Sequence, residues 1–545
     1  MPGSLISDVL KTRCQKNPES KALIFEDISF SYKQLMEKSE TIARKLNELG
    51  IGRYSRILML LPNTSESVIA IWSVLMAGAI PVIADIKQDK VKINYLVKDC
   101  GVCGVFASAQ SMLEPFQDNP EINFIVTMSE NGDLDYGFDE VNGSPIGLGL
   151  TSASVSSYPM PLSIDVGMII YTSGSTGLPK GVLLTHDNVI FSLSSIQQYL
   201  AYKSDDSVIA PLPLSFDYGL YQIFLTALSG STLVLVKDHQ LITKVCSAIA
   251  KHECTIVPAI ASQYVLIQSI QQRFKFNFSS VRLVTNTGMS FTPAASSSVI
   301  NIFPNAQVYL MYGLTECKRC SYVPTDMTDA PSNTIGIPIP GTEMTIVNES
   351  GEMAEIGDMG EIVVRGPNVM AGYCNSPKET ALKIRPVHGF GERCLFTGDI
   401  GWRDKYGMFY LTGRKDDVVK IRGQKYVPAE IEELILLEHS VKEVAAIAVE
   451  SVESELMSVL FIVGDDAEVD ETYLRQKVHS LPPHQRPARC FFIEQLPKTS
   501  NGKIDRKKLR VATKGLLGEL TQVGIDQPAK MDYVTMRDFT AVCPT

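Results

Sequence analysis

A glycine-rich loop with a single lysine occupies residues 171–181, which read YTSGSTGLPKG. Its glycines let backbone N–H groups approach an anion closely, and its hydroxyl groups add further hydrogen-bond donors. Lys180 supplies a positive charge for phosphate oxygens. The glycine-to-GK[ST] spacing of a P-loop is absent, so the segment predicts a phosphate-binding loop of another kind. A plain Ser/Gly linker is the alternative interpretation.

Three more polar clusters follow further along the chain. Thr315 and Glu316, in YGLTE, come after a predicted strand, where they can face a phosphate and its Mg²⁺ ion. Asp399, in TGD, can accept from both hydroxyls of a ribose, and Arg414, in GRKD, can add a charge-assisted contact. Lys503 lies in a polar loop, PKTSNGK. Taken separately, Thr315 and Glu316 are better explained as an ordinary strand-to-loop turn, and Lys503 as a solvated charge.

Parallel strands joined by helices are expected to position these clusters. Short β-branched runs alternate with longer amphipathic stretches, and the predicted strands include 55–62, 232–238, 254–260, 282–288 and 306–313. From about residue 334, glycine-punctuated alternating segments predict a small antiparallel barrel or sheet. The predicted fold class is therefore α/β. Its units are a large N-terminal domain of layered αβ subdomains plus a small β-barrel (1–412, barrel about 334–412), a mobile α+β C-terminal domain (413–510) and a tail (511–545).

The composition indicates a folded globular protein and argues against several partners. Hydrophobic residues make up 45% of the 545 residues and charged residues 20%. The formal net charge of -10 disfavours binding to nucleic acid or anionic lipid. No apolar run is long enough to span a bilayer and the N-terminus lacks a secretion signal, so a cytoplasmic location is expected. The 11 cysteines are odd in number and scattered, which favours free thiols.

Taken in order, these motifs resemble those of the adenylate-forming ligase superfamily, which includes acyl-CoA synthetases, luciferases and the adenylation domains of nonribosomal peptide synthetases. The resemblance extends from about residue 8 to residue 510. It implies that ATP activates a carboxylic acid as an acyl-adenylate, with release of pyrophosphate, and that a thiol then receives the acyl group. The ATP-binding residues that it implies are Thr172, Ser173, Gly174, Ser175, Thr176, Gly177, Lys180, Tyr312, Asp399 and Arg414.

The same resemblance implies the catalytic residues and a conformational change. The catalytic set is Lys503, Thr315 and Glu316, with Glu316 also holding Mg²⁺. Lys503 would stabilise the negative charge that builds up when a carboxylate attacks the α-phosphate. In the family the small C-terminal domain rotates between the two half-reactions. Asp416 matches the hinge of that rotation, and Gly423 lies in the segment that reaches the thiol tunnel.

Substrate choice is expected to depend on a pocket in the N-terminal domain. Asp217 aligns with the segment where amino-acid-activating members carry an aspartate that pairs with the substrate ammonium group, and a buried charge needs such a partner. A capping or structural carboxylate at a helix start is the alternative. The family's other specificity positions favour a small or polar substrate over a long fatty chain. They fall on Tyr218, Tyr221, Ile260, Val284, Asn286, Met311, Arg319 and Cys320.

The acceptor thiol stays open between two molecules. No carrier-protein domain is evident after residue 510, so the thiol is expected on the phosphopantetheine arm of a free-standing carrier protein or on coenzyme A. The leading hypothesis is a stand-alone ligase that loads a carrier protein with a small or amino-bearing acid. The alternatives are an AMP-forming acyl-CoA synthetase, a luciferase-like enzyme and a non-catalytic nucleotide-binding relative. The joint presence of Lys503, Glu316 and Asp399 disfavours the last of these.

One segment departs from the usual peptide-synthetase sequence. After Gly313 the chain reads LTECKRC, whereas the segment SFDYGL resembles a group of stand-alone acyl ligases. The amino-acid interpretation of Asp217 and the plain-acid interpretation therefore both remain open at this stage.

Overall fold

The computed structural model describes most of the chain. The described residues are 4–85, 90–107, 116, 122–127, 137–140, 159–172, 179–288, 293–325, 333–417, 419–421, 424–426, 428–436, 441–450, 456–464, 477–478, 481, 486–498, 504–513 and 532–535. Helices and strands are mixed throughout these ranges, which confirms the predicted α/β class. Every helix within them is too short or too polar to cross a membrane.

The described residues form a series of α-helices along the chain. Their bounds are α1 (Ile6–Lys16), α2 (Tyr32–Glu48), α3 (Ser65–Met76), α4 (Lys90–Cys100), α5 (His186–Leu200), α6 (Asp217–Ser229), α7 (Ile242–Lys251), α8 (Ala261–Phe274), α9 (Pro293–Ile302), α10 (Pro377–Lys383) and α11 (Pro428–Leu436). Side-chain caps begin several of them, as where Thr64 accepts from the backbone N–H of Ser67 ahead of α3. After α3 the chain turns at Gly78, whose φ of +79° favours glycine, and enters the next strand as predicted.

The strands fall into three stretches of the chain. The first holds β1 (Lys21–Phe25), β2 (Ile28–Ser31), β3 (Arg56–Leu60), β4 (Ile80–Ile83), β5 (Gly104–Ala107), β6 (Phe124–Thr127), β7 (Gly137–Glu140), β8 (Val166–Thr172) and β9 (Lys180–Thr185). The second holds β10 (Ser207–Ala210), β11 (Thr232–Leu235), β12 (Ile256–Pro258), β13 (Leu283–Asn286), β14 (Gln307–Tyr312), β15 (Ser321–Tyr322), β16 (Thr334–Pro338), β17 (Glu343–Val347), β18 (Gly360–Arg365), β19 (Gly372–Tyr373), β20 (Ile384–Val387), β21 (Gly391–Arg403) and β22 (Phe409–Arg414). The third holds β23 (Val419–Ile421), β24 (Gln424–Tyr426), β25 (Val441–Glu450), β26 (Leu456–Gly464), β27 (Arg489–Phe492) and β28 (Asp532–Thr535).

The largest sheet combines a parallel half with an antiparallel half. Its strand order is β17-β18-β21-β22-β16-β15-β14-β13-β12-β10-β11-β1-β2, with β20 paired to β21. The run from β14 to β11 and on to β1 is parallel, and the run from β14 through β15 and β16 to β17 is antiparallel. The five strands predicted from the sequence correspond to β3, β11, β12, β13 and β14.

A second sheet packs against the first through a shared core. Its order is β19-β9-β8-β4-β3-β5-β6-β7. One hydrophobic cluster joins Met168 of this sheet to Leu233 of the largest sheet, with the fully buried Trp72 of α3 in the same cluster. Helix α3 is buried along its whole length because it lies within this core, so it can be apolar on every side.

The C-terminal part has its own sheet and core. Strands β25, β26, β27 and β28 pair in that order, and Ile431 and Ile435 of α11 share a cluster with Leu460 of β26. The last strand, β28, pairs in parallel with β27 and lies in the tail where the sequence showed no strong periodicity.

Candidate active site

The candidate site lies at one edge of the largest sheet. Strands β10, β12, β13 and β14 are parallel neighbours, so their carboxyl ends meet at the same edge. Asn286 ends β13 and Tyr312 ends β14, while Ile260 follows β12. Asp217 begins the helix that follows β10. Ligands of open α/β sheets bind outside the carboxyl ends of the strands, so this edge is where a small-molecule site is expected.

Asp399 is buried at this edge and is held from two sides. Tyr312 donates its phenolic O–H to Asp399 Oδ2, and Arg414 donates from Nη1 to Asp399 Oδ1 at 2.9 Å. Burial raises the pKa of the Asp399 carboxyl above its ordinary value, and the positive charge of Arg414 opposes that rise. A carboxylate offers about four acceptor positions, so Asp399 retains capacity for further hydroxyl donors. The structure thus brings together three of the predicted nucleotide-binding residues.

Glu361 supports this group, although the sequence gave no reason to single it out. Its Oε1 accepts from the backbone N–H of Gly398 at 2.9 Å, and its Oε2 accepts from Lys415 Nζ at 2.8 Å. Glu361 lies on β18, next to β21. Because Gly398 precedes Asp399 and Lys415 follows Arg414, these two contacts hold both residues close to the sheet. The pairing joins residues 37 and 54 positions apart, which no local motif could reveal.

Lys180 and Glu316 both contact the side chain of Tyr373. Lys180 Nζ donates to Glu379 Oε2 at 2.5 Å and lies 5.5 Å from the ring centroid of Tyr373. The Tyr373 hydroxyl donates to Glu316 Oε1 at 2.7 Å. Burial, together with the charge of Glu316, raises the pKa of Tyr373. Glu316 and Thr315 are half-buried, so their oxygens can reach a ligand from the sheet edge.

Two glycines let the backbone pack tightly around these residues. A Cβ at Gly313 would lie 2.0 Å from the carbonyl oxygen of Lys318. A Cβ at Gly181 would lie 2.9 Å from Cζ of Tyr171. Neither site has room for a side chain, so the close packing requires glycine at both positions.

Asp217 meets a buried lysine that the sequence analysis did not single out. Lys318 is 2% exposed, and its Nζ donates to the backbone oxygen of Asp217 at 2.7 Å. The same Nζ lies 3.5 Å from Asp217 Oδ2 and 3.9 Å from the ring centroid of Tyr221. Burial lowers the pKa of Lys318 well below its ordinary value, while the Asp217 carboxylate acts in the opposite direction. Helix α6 begins after Phe216 without a side-chain cap, so Asp217 is not its N-cap.

Arg319 follows Lys318 into the same buried region. It is 3% exposed, donates from Nη1 to the carbonyl oxygen of Lys318 at 3.0 Å, and lies 4.8 Å from the ring centroid of Tyr218. The Tyr218 hydroxyl in turn contacts Thr285, at 2.7 Å from its carbonyl oxygen and 2.6 Å from Oγ1. Arg319 Nε and the Tyr221 hydroxyl are buried without a hydrogen-bond partner. Buried polar atoms without a hydrogen-bond partner are rare in folded proteins, so these two need an explanation.

The remaining residues predicted to bind the substrate divide between the two faces of the sheet. Ile260, Met311 and Cys320 share one hydrophobic cluster with Tyr218 and Tyr221. Val284 packs in a different cluster, on the face covered by α7, α8 and α9. Neighbouring residues of a strand point to opposite faces, so Thr285 rather than Val284 contacts Tyr218. Asn286, at the end of β13, is buried, and its Nδ2 is 3.5 Å from the carbonyl oxygen of Ala259.

Several predicted site residues lie outside the described residues. They are Ser173, Gly174, Ser175, Thr176, Gly177, Gly423 and Lys503. Thr172 and Lys180, near the two ends of the predicted phosphate-binding loop, are paired across β8 and β9. Asp416 is exposed in a short 3-10 helix, Lys415–Asp417, directly after β22. Its neighbour Asp417 accepts from Arg510 at 2.8 Å.

Comparison with known families identifies the class of protein. The family described as AMP-binding enzyme matches residues 10–374, and the family described as AMP-binding enzyme C-terminal domain matches residues 430–503. The chain therefore belongs to the AMP-binding enzyme family, which confirms the superfamily predicted from the motifs. The family is described as an enzyme family, in agreement with the prediction that this protein is an enzyme.

Individual relatives agree with this class. The chain is 29% identical to bacitracin synthase 3 of Bacillus licheniformis over 508 residues, which cover 92% of this chain and only 8% of that protein. It is 29% identical to 4-coumarate:CoA ligase 1 of Petunia hybrida over 88% of both chains. The ATP-bound structure of MatB from Rhodopseudomonas palustris superposes with a TM-score of 0.82 at 22% identity, covering 94% of this chain and 99% of that one. This last similarity confirms the fold, with a large N-terminal and a C-terminal domain.

Proposed function

We propose that this protein uses ATP and Mg²⁺ to convert a small or amino-bearing carboxylic acid to its acyl-adenylate. It then transfers the acyl group to the phosphopantetheine thiol of a free-standing carrier protein. The observation that carries the proposal is the common sheet edge at which Asp399, with its two partners, and the buried Asp217–Lys318 pair both lie. The Asp399 group suits a nucleotide, and the Asp217–Lys318 pair suits a polar acid. A reaction between ATP and an acid requires both to be bound side by side.

Each nucleotide-binding residue has a definite task in this proposal. Asp399 accepts hydrogen bonds from the ribose hydroxyls, and Arg414 keeps that carboxylate oriented through its 2.9 Å contact. Lys180, beside the loop that begins at Thr172, binds phosphate oxygens when Glu379 releases it. Glu316 would hold Mg²⁺, because Tyr373 occupies only one of its carboxylate oxygens and hard cations prefer oxygen ligands.

Lys503 is the proposed catalytic residue of the adenylation step. An ammonium group close to the α-phosphate stabilises the charge that develops as the acid attacks and pyrophosphate leaves. Thr315, directly before Glu316, would add a hydroxyl near the phosphates. Rotation about Asp416 would then carry Lys503 away and bring the segment around Gly423 towards the acceptor thiol.

The buried polar side chains around Asp217 support a small acid over a long fatty chain. Tyr218 and Tyr221 are both 1% exposed and fill the space next to Asp217, whose carboxylate is 3.5 Å from Lys318 Nζ. That separation is longer than an ordinary hydrogen bond, so the Asp217 oxygens can still accept from a substrate ammonium group.

An acyl-CoA synthetase is the second candidate. It is favoured by the match to 4-coumarate:CoA ligase 1, which extends over 88% of that protein's own length. Supplying the purified adenylate-forming enzyme with either coenzyme A or a phosphopantetheinylated carrier protein separates the two. Thioester formation on the carrier protein alone would support the proposal, and formation on coenzyme A alone would replace it with the second candidate.

The adenylation step is tested by pyrophosphate release from Mg-ATP without any thiol. We expect release with at least one member of a panel of amino acids, hydroxy acids and short to medium fatty acids. Lys503→Ala should reduce that release by about 100-fold or more. Lys405→Ala removes an exposed lysine from a turn and should leave it unchanged. Equal activity of the two variants would reject Lys503 as the catalytic residue.

A further inference from the structure

We propose that the acid activated by this protein carries a second carboxylate, and that Arg319 binds it. The substrate class is thus a short dicarboxylic acid, with or without an amino group. The inference rests on the proposed function, since it names the substrate of that same pocket.

Arg319 is a buried cation without an anionic partner in the described part of the chain. It is 3% exposed, yet its guanidinium donates only to the Lys318 carbonyl oxygen, at 3.0 Å, and its Nε has no acceptor. The face of the Tyr218 ring, 4.8 Å away, provides a weaker contact than a carboxylate would. Arginine stays charged in proteins, so the guanidinium cannot avoid this cost by losing a proton.

Lys318, rather than Arg319, faces the carboxylate of Asp217. Asp217 lies 3.5 Å from Lys318 Nζ, which also donates to the Asp217 backbone oxygen. Among the described residues Asp217 therefore partners Lys318, and no carboxylate contacts Arg319. Burying an unpaired charge is costly, and a charge that is nevertheless retained needs a ligand or another partner.

Arg319 is buried among polar and aromatic side chains beside the carboxyl end of β13. Arg319 packs on Tyr218, and Tyr218 is anchored to Thr285, near the end of β13. The aromatic side chains Tyr218 and Tyr221 are each 1% exposed beside these cations, and such closely packed surroundings favour a short carbon chain. A planar guanidinium with several unused donors matches the two oxygens of a carboxylate.

Matched acids test the inference. Pyrophosphate release from Mg-ATP is measured with succinate against butyrate, glutarate against valerate, and aspartate against alanine. We expect the wild-type protein to prefer the dicarboxylic member of at least one pair by about 100-fold in kcat/KM. We expect Arg319→Met to abolish that preference and Arg319→Lys to restore part of it, since lysine keeps the charge but not the bidentate geometry.

Controls distinguish this inference from the proposed function. Arg365→Met removes an arginine whose side chain is 49% exposed, and should leave the preference unchanged. Release with monocarboxylic acids only, unaffected by Arg319→Met, would overturn the inference and leave the proposed function standing. An equal loss for both members of each pair in Arg319→Met would also overturn it. Absence of release with every acid in the wild-type protein would overturn the proposed function itself, and this inference with it.

Discussion

Replacing Lys318 with methionine is expected to destabilise the protein strongly, because it would leave Asp217 buried without a positive partner. Lys318 Nζ donates to the Asp217 backbone oxygen at 2.7 Å, lies 3.5 Å from Oδ2, and lies 3.9 Å from the Tyr221 ring centroid. Removing one member of a buried ion pair costs about 3–5 kcal/mol, most of it from the charge left behind. We therefore expect the free energy of unfolding of Lys318→Met to fall by that amount.

Urea denaturation of a double-mutant cycle measures this effect. Asp217→Asn removes the charge that Lys318 balances, so the double variant Asp217→Asn/Lys318→Met should be more stable than Lys318→Met alone. The coupling energy between the two positions should be about 1–3 kcal/mol. Lys405→Met serves as the control for loss of an exposed lysine and should change stability by less than about 0.5 kcal/mol. Additive effects at positions 217 and 318 would refute the argument that the pair is energetically coupled.

Three further outcomes follow from contacts at other places in the fold. His186 is buried and its Nδ1 accepts from the Ile6 backbone N–H at 3.2 Å, and burial lowers its pKa to about 4. Because the unfolded chain then binds a proton that the folded protein does not, stability should fall as the pH drops from about 6.5 to about 4, and His186→Gln should remove this part of the slope in urea titrations. Gly313→Ala should lower the free energy of unfolding by about 1–3 kcal/mol and impair pyrophosphate release, because its Cβ would lie 2.0 Å from a carbonyl oxygen. The control Gly351→Ala, whose Cβ would have no atom within 4 Å, should show only the smaller penalty of its φ of +84°. Asp399→Asn should raise KM for ATP about 10-fold to 100-fold with little change in the melting temperature, and an unchanged KM would reject its proposed contact with the ribose.

The sequence predicted well those features that depend on local periodicity and on glycine. The strands β3, β11, β12, β13 and β14 were predicted because each is a short β-branched run between turn residues. Tyr312, Asp399 and Arg414 were each selected from a motif, and the structure brings them into direct contact. Their common site was anticipated from the family resemblance of the motifs, since Asp399 and Arg414 lie on the antiparallel strands β21 and β22.

The partners that hold those residues could not be predicted, since they come from distant parts of the chain. Lys318 is 101 residues from Asp217, and Tyr373 is 57 residues from Glu316. A lone lysine within LTECKRC carries no signal that it will be buried. The face of a strand is equally hard to assign from sequence, because a shift of one residue exchanges Val284 for Thr285 beside Tyr218.

The pairing of β28 with β27 bears on how the protein can be shortened. A chain that ended after residue 513 would lose β28 but keep the remaining strands of the C-terminal sheet. The backbone N–H and C=O groups on one side of Arg489–Phe492 would then be unpaired. Cys490 and Phe491 are fully buried in that strand, so the newly opened border would combine free backbone groups with apolar side chains. Such borders recruit other chains and promote aggregation. Expression work on this protein should therefore retain residues up to Thr535 and place any affinity tag beyond them.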